Sequence, residues 1–255
     1  MKSWALLLEY DGTPYVGWQR QANGISVQAV LEEVCARLNG GAPVAATAAG
    51  RTDAGVHAAG QVVQLALPDR YRPDQVRDAL NFHLKPHPIV VLQAAPAAPG
   101  WSPRFDAAGR AYAYRILNRR ARPALALNHA WHVERRLDEA AMAKAASMLL
   151  GRHDFTSFRA SACQAKSPIR TLDSLDVARA GDTLTITCEA RSFLHHQVRN
   201  MVGTLKLVGE GRWPAAQVRA ALEARDRRAA GPTAPPDGLT LVNVSYAQDP
   251  FDVRT

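Results

Sequence analysis

The sequence predicts a mixed α/β or α+β fold, a sandwich in which helices pack on one extended sheet. Three observations predict it. Short apolar runs with period-two alternation recur along the chain, they are interleaved with segments whose apolar residues return every three or four positions, and no low-complexity tract interrupts them. At 255 residues the chain can bury about 70 to 75% of its unfolded surface, which suits one large domain or two fused halves.

The first half reads as strand, helix, strand, helix, strand. Residues 4–10 form an apolar strand that leads through the Asp11 to Gly17 turn into a helix over 27–38. Val27, Val30, Leu31, Val34 and Leu38 share one face of that helix, and Asn39, Gly40 and Gly41 stop it. The run Gln61 to Leu67 is the next strand, a helix begins near Pro73, residues 89–93 form a third strand, and the alanine and proline stretch 94–99 reads as a linker.

In the second half, Tyr112, Tyr114 and Ile116 alternate on one strand face ahead of an arginine-rich connection. A helix runs from Asp138 as cap to Gly151 as stop, and strand 183–189 alternates Leu184, Ile186 and Cys188. Val198, Met201, Val202, Leu205 and Val208 trace the buried stripe of a helix over 193–208 that ends at Gly209. A short helix from Pro214, a proline-rich loop at 231–238 and a strand at about 239–246 complete the chain. The order repeats loosely without a residue-level repeat, and the halves divide at 1–105 and 106–255.

Composition narrows the class. Cys35, Cys163 and Cys188 are odd in number and outside any CxxC pairing, so neither a disulfide framework nor a zinc cluster is indicated, and Cys35 and Cys188 read as small core hydrophobes. Trp4 to Leu8 is too short for the apolar segment of a signal peptide, and no stretch approaches the roughly 18 to 20 apolar residues of a membrane span. A soluble cytoplasmic protein is expected, with no membrane partner.

Net charge is +8 and the sequence pI about 9.8, which fits a polyanionic partner. Residues 100–136 hold Arg104, Arg110, Arg115, Arg119, Arg120, Arg122, Arg135 and Arg136 against Asp106 and Glu134, while residues 1–60 are close to neutral. Tyr112, Tyr114 and Trp131 are interleaved with this stretch, so phosphate neutralisation and base stacking are both available locally, and RNA is the leading partner. The opposing reading is a solvated arginine face in a chain rich in arginine and alanine.

The run GRTDAGVHA at 50–58 sets Arg51 and Asp53 two positions apart in a turn bounded by Gly50 and Gly55, with the strand at Gln61 to Leu67 to anchor it. An aspartate before a small residue and glycine is ordinary turn chemistry. A plain turn, however, does not call for Arg51, Asp53 and His57 together. Phosphate-loop NTPases are excluded, because Gly50 to Gly55 lacks the lysine and hydroxyl residue that hold phosphate and magnesium.

GRTDAGVHA resembles the central motif of the tRNA pseudouridine synthase A family, in which the aspartate is the nucleophile. YDGTPYVGWQRQ at 10–21, GRHDFTSF at 151–158, FLHHQVRNMVG at 193–203 and APPDGLTL at 234–241 resemble the other family blocks in the family's order, so the resemblance spans nearly the whole chain. It implies a pseudouridine synthase fold of two related halves flanking a central cleft. It also implies isomerisation of uridine to pseudouridine at about positions 38, 39 and 40 of the tRNA anticodon stem-loop, by a homodimer.

Such a reaction detaches uracil from its ribose, rotates it and rejoins it through carbon, so no cofactor is needed. Asp53 is the candidate for attack on sugar or base, or for removal of a sugar proton; the residues do not choose among these. Arg199, at the edge of the apolar stripe of its helix, is the candidate cation that keeps the carboxylate ionised, against the reading of a surface arginine. Tyr112, by resemblance of GRAYAYRILN to the family's tyrosine block, stacks on the target base, with Tyr114 as its rival on the same strand face. Arg51 contacts RNA backbone or fills the space left by a flipped base, or else forms a structural salt bridge; Arg110 is assigned to substrate binding.

Two other classes stand beside this one. His129, His132, His57 and Asp53 can be assembled into a metal-dependent hydrolase on paper, although no carboxylate pattern accompanies the histidine pair and no metal is expected. His195 and His196, if helical, point about 100° apart and do not chelate one ion comfortably. A noncatalytic RNA-binding protein would have lost Asp53, Tyr112 or Arg199, and all three are present. The segments Asp11 to Gln21 and Phe155 to Arg159 are open between RNA contact and core cover.

Overall fold

The computed structural model describes residues 1–252. In chain order the elements are β1 (Lys2–Tyr10), α1 (Val27–Leu38), β2 (Thr47–Ala48), β3 (His57–Leu67), α2 (Pro73–Leu84), β4 (Ile89–Pro96), β5 (Ala107–Leu117), β6 (Trp131–His132), α3 (Glu139–Ala146), β7 (Gly151–Asp154), β8 (Ile169–Ala180), β9 (Thr183–Ala190), α4 (Gln197–Gly209), α5 (Ala216–Ala224) and β10 (Leu239–Tyr246). The fold is mixed α/β, as the alternation of segments predicts. The chain forms two compact units, one of Met1–Gly109 with the chain from Thr240, the other of Arg110–Leu239.

In the first unit β1 lies between β4 and β3, antiparallel to both, and β10 joins β3 in parallel. Flanked on both sides, β1 buries Trp4, Leu6, Leu8 and Tyr10. Helix α1 starts where Ser26 accepts the Ala29 N–H at 3.2 Å and stops before Gly40 and Gly41, at φ 64° and 87°. Its expected stripe is buried together with Cys35. The stretch expected as a linker is partly strand, since Ala94, Ala95 and Pro96 pair with Leu6, Ala5 and Trp4. A strand flanked on one side only tolerates proline and alanine, so composition there misleads.

In the second unit β5, β9, β8 and β7 run antiparallel in that order, and β6 adds to β5 in parallel. Strand β8 escapes the sequence reading because Asp173, Asp176 and Arg179 interrupt it and only Leu172 and Leu175 are buried along its length. Helix α3 is capped by Asp138, as expected, but ends at Ala146 and not at Gly151. The Ser147 hydroxyl donates to the Lys144 carbonyl at 2.8 Å and the chain tightens into a 3-10 turn over Ser147–Leu149, a local bond that competes with the helical ladder. Gly151, at φ 92°, opens β7 instead.

Helix α4 buries its predicted stripe and also Asn200, Gly203 and Thr204, so it is covered nearly all round. His195 and His196 precede it and are not helical: His196 is left-handed at φ 62° and the two rings lie tilted 4.0 Å apart. The aromatics of the two ambiguous segments are core, with Tyr15 and Trp18 buried in the first unit and Phe155 and Phe158 fully buried in the second.

Gly203 on α4 lies against the Pro232 carbonyl, where a Cβ would collide with it. Alanine ordinarily improves a helix by about 1 kcal/mol over glycine. Here Gly203→Ala is expected to lower the unfolding free energy by about 1 to 3 kcal/mol in a urea titration, through overpacking. An unchanged midpoint would show that residues 231–238 are not held against α4.

Candidate active site

The turn from Gly50 to Val56 rises between β2 and β3 and carries an exposed Arg51, a buried Thr52 and a half-buried Asp53. Strand β3 begins at His57, earlier than its apolar run, because Thr240 and Leu241 of β10 pair with His57 and Ala58. The turn is fixed largely through main chain. Trp18 N–H donates to the Thr52 carbonyl at 3.0 Å, Val56 N–H to the Asp53 carbonyl at 3.1 Å, and Gly55 N–H to the Tyr15 carbonyl at 3.4 Å. Gly17, at φ 109°, and Gly55, at φ 77°, supply the left-handed angles, and a Cβ on Gly17 would crowd the Thr52 carbonyl.

Side chains lock the same turn from beneath. The Tyr10 hydroxyl shares a hydrogen bond with Thr52 Oγ1 at 2.8 Å, and Gln61 Nε2 donates to the Gly50 carbonyl at 2.8 Å. Burial pushes the Tyr10 phenol up to about 12, against the hydrogen bonds to Thr52 and Gln61 that favour ionisation. Tyr10 therefore stays protonated near neutral pH. His57, grouped with Asp53 by the sequence motif, serves the neighbouring turn: its buried Nδ1 lies 3.1 Å from the Gly12 N–H and 3.0 Å from Asp11 Oδ1. It ties the β1 turn to the start of β3.

Tyr112, Arg110 and Arg199 belong to the second unit. Tyr112 is half-buried on β5, opposite Cys188 of β9, with Phe193 edge-on at 5.2 Å. Tyr114, its rival, is fully buried, donates its hydroxyl to the Pro235 carbonyl at 2.8 Å and packs edge-on to Trp131. Burial raises the pKa of Tyr114; Arg199 opposes that rise and Asp237 adds to it, so the phenol stays neutral. Arg110 donates to the Arg191 carbonyl at 2.5 Å. Half-buried Arg199 donates from Nε to the Ala234 carbonyl at 2.8 Å, and the Ala234 N–H returns a bond to the Arg199 carbonyl at 3.1 Å. His132 is bound at 2.8 Å to the Arg119 carbonyl.

Sequence alone does not single out Tyr10, Thr52 and Gln61, because a tyrosine ending an apolar strand and a glutamine inside one read as core and surface. The short distances that matter there join residues far apart in the chain. Asn200 escapes local pattern for the same reason.

A family model described as tRNA pseudouridine synthase matches residues 7–106 and 145–247. The tRNA pseudouridine synthase A of Acidiphilium cryptum is 67% identical over 252 residues, covering 98% of this chain and 99% of that one. The chain belongs to the tRNA pseudouridine synthase family. The family isomerises uridine to pseudouridine, and the chain is an isomerase of that class. Proteins of the same name from Gluconobacter oxydans and Paramagnetospirillum magneticum are 54% and 58% identical, covering 99% and 97% of this chain and 92% and 96% of theirs. Among solved structures the chain aligns with one titled as a Cbf5-Nop10-Gar1 complex at 11% identity and a TM-score of 0.39, covering 95% of this chain and 50% of that one. Among the described residues no helix is long and apolar enough to cross a membrane.

The Tyr10 hydroxyl offers a direct probe of the turn. Tyr10→Phe keeps the ring and strands the buried Thr52 hydroxyl, which is expected to cost about 1 to 3 kcal/mol in urea unfolding and to lower turnover without weakening RNA binding more than a few fold. Wild-type stability and turnover together would show that Thr52 does not depend on this bond.

Proposed function

We propose that the chain converts uridines at about positions 38, 39 and 40 of the tRNA anticodon stem-loop to pseudouridine, with Asp53 as the nucleophile. The tRNA substrate follows the name its relatives carry, and the positions follow the family resemblance. The observation that supports Asp53 most is its setting, a half-buried carboxylate on a turn fixed through Thr52, Gly17 and Gly55. A nucleophile held in one geometry loses little entropy on reaction.

In this reading the N1–C1′ bond breaks, uracil rotates, and a C5–C1′ bond forms while the C5 proton leaves and N1 gains one. Mass and chain length are unchanged. Arg199 keeps the carboxylate ionised, Tyr112 stacks on the flipped base, and Arg51 and Arg110 bind the RNA. Tyr112 is favoured over Tyr114 because Tyr114 is committed to the core and to the Pro235 carbonyl. The enzyme works without a cofactor, as a homodimer in the cytoplasm, with the nucleophile in the half 1–105 and the tyrosine and arginine in the half 106–255.

The deciding experiment incubates the protein with unmodified tRNA and maps pseudouridine by position. Asp53→Asn is expected to abolish turnover while leaving tRNA affinity within a few fold, since the amide keeps the shape and loses the nucleophile. Tyr112→Ala should lose more activity per folded molecule than Tyr114→Ala, whose main deficit should be stability, about 3 to 5 kcal/mol for emptying a large buried aromatic site. Activity that fails after exhaustive chelation, or a product of altered mass, would instead indicate a hydrolase.

Salt should weaken binding, with a slope near −0.7 per neutralised phosphate on single strands and steeper on duplex. Arg119 is engaged by Asp182 at 3.6 Å and by the Ala121 carbonyl at 3.1 Å, whereas Arg120 and Arg122 are exposed. The double variant R120E/R122E is therefore expected to flatten the slope by about one to two phosphates. An unchanged slope would make this cluster a solvated face.

A further inference from the structure

The segment Gly231 to Gly238 is a strap on which both Arg199 and Tyr114 depend. Its Ala234 carbonyl receives Arg199 Nε at 2.8 Å and its Pro235 carbonyl receives the Tyr114 hydroxyl at 2.8 Å. The strap has little regular structure of its own, so its position must come from what grips it. Gly231 N–H donates to Thr204 Oγ1 at 2.9 Å, and that hydroxyl donates to the Asn200 carbonyl at 2.7 Å. Fully buried Asn200 receives Thr233 Oγ1 at 2.7 Å and Arg227 Nη2 at 3.1 Å on its Oδ1, and its Nδ2 donates to the Phe158 carbonyl at 2.7 Å.

We infer that Asn200 is a positioning residue for the isomerase, setting the direction of the Arg199 guanidinium through Thr233 and the strap. The inference rests on the assignment of Arg199 to the reaction. Asn200 is the residue after Arg199 on α4, so its side chain leaves the helix in another direction. It reaches the arginine side chain by way of the loop, whose Ala234 carbonyl receives Nε. An arginine anchored at Nε has its two terminal nitrogens turned one way, which a lysine in the same place does not reproduce. An amide is suited to the hub because it accepts from the hydroxyl and the guanidinium on one atom while donating to a carbonyl with the other. Aspartate would lose that donor, and leucine all three bonds.

Asn200 is buried and its replacement risks the fold, so the test uses exposed Thr233. Thr233→Val keeps the shape and removes the hydroxyl that donates to Asn200 and accepts from Arg227 Nη2 at 3.1 Å; kcat on tRNA is expected to fall about tenfold with KM within about twofold, the size expected when hydrogen bonding that orients a reacting group is lost. Thr233→Ser should restore kcat. In an Arg199→Lys background, where there is no Nε to orient, Thr233→Val should have no further effect on kcat. Normal kcat in Thr233→Val, failure of the serine rescue, or a full additive loss in the lysine background would overturn the positioning role. If Arg199→Lys and Arg199→Ala both keep wild-type kcat, the assignment of Arg199 itself is wrong, and the inference falls with it for a separate and visible reason.

Discussion

The turn that carries Asp53 is held by main chain packed against main chain, and this contact governs what the first unit must supply. Gly12 lies so close to the Val56 carbonyl that a Cβ would collide with it, and a Cβ on Gly17 would crowd the Thr52 carbonyl. Contacts of this kind have no side-chain freedom with which to absorb an error. Their height is set by the sheet below, where Tyr10 of β1 pairs with Ala58 of β3 after an irregularity between Leu8 and Tyr10. His57, bridging Gly12 and Asp11 at the first residue of β3, fixes the same level from the other strand. The candidate nucleophile thus takes its position from strand register, and the buried Tyr15 and Trp18 anchor the loop whose main chain bonds the turn.

The second unit uses the same device with a helix in place of a sheet. Gly203 allows the Pro232 carbonyl to touch α4, and Gly231 lies against Thr204. Around these two approaches Asn200, Thr204 and Arg227 supply the polar bonds that an irregular loop cannot supply for itself. A buried loop with unsatisfied carbonyls would be costly. Here the Ala234 and Pro235 carbonyls are satisfied by Arg199 and Tyr114, so the groups that satisfy the loop are also oriented by it.

Elements with a full apolar period are legible in the sequence. Helix α1 with its glycine stop, the stripe of α4, and β9 all lie where their periodicities put them. Strand β8, with two buried leucines among aspartates, and the end of β4, built of alanine and proline, are not legible, because there the sheet partners and not the residues decide the conformation. Within the candidate site the motif marks the turn and its two glycines. It does not mark Tyr10, Gln61 or Asn200, whose importance lies in bonds to residues outside their own element, as from Tyr10 to Thr52, from Gln61 to Gly50 and from Asn200 to Thr233. Such bonds are invisible to local pattern. The pattern also pairs His57 with Asp53, whereas its Nδ1 lies against Gly12 and Asp11.

A net charge of +8 suggests abundant cation for RNA, yet several arginines are structural. The nearly buried Arg179 side chain bonds Glu139, the Asn118 amide oxygen and the Leu137 carbonyl; Arg227 bonds Asn200 and the Gly231 carbonyl; and Arg228 is forked onto Asp226. These charges hold loops and cannot also neutralise phosphate without giving up those bonds. Other arginines stay exposed, among them Arg51 beside the candidate nucleophile, Arg120 and Arg122 in the β5 to β6 connection and Arg135 and Arg136 after β6, and these are open to a polyanion. The cation open to a polyanion is therefore less than the net charge implies, by the arginines whose bonds hold loops.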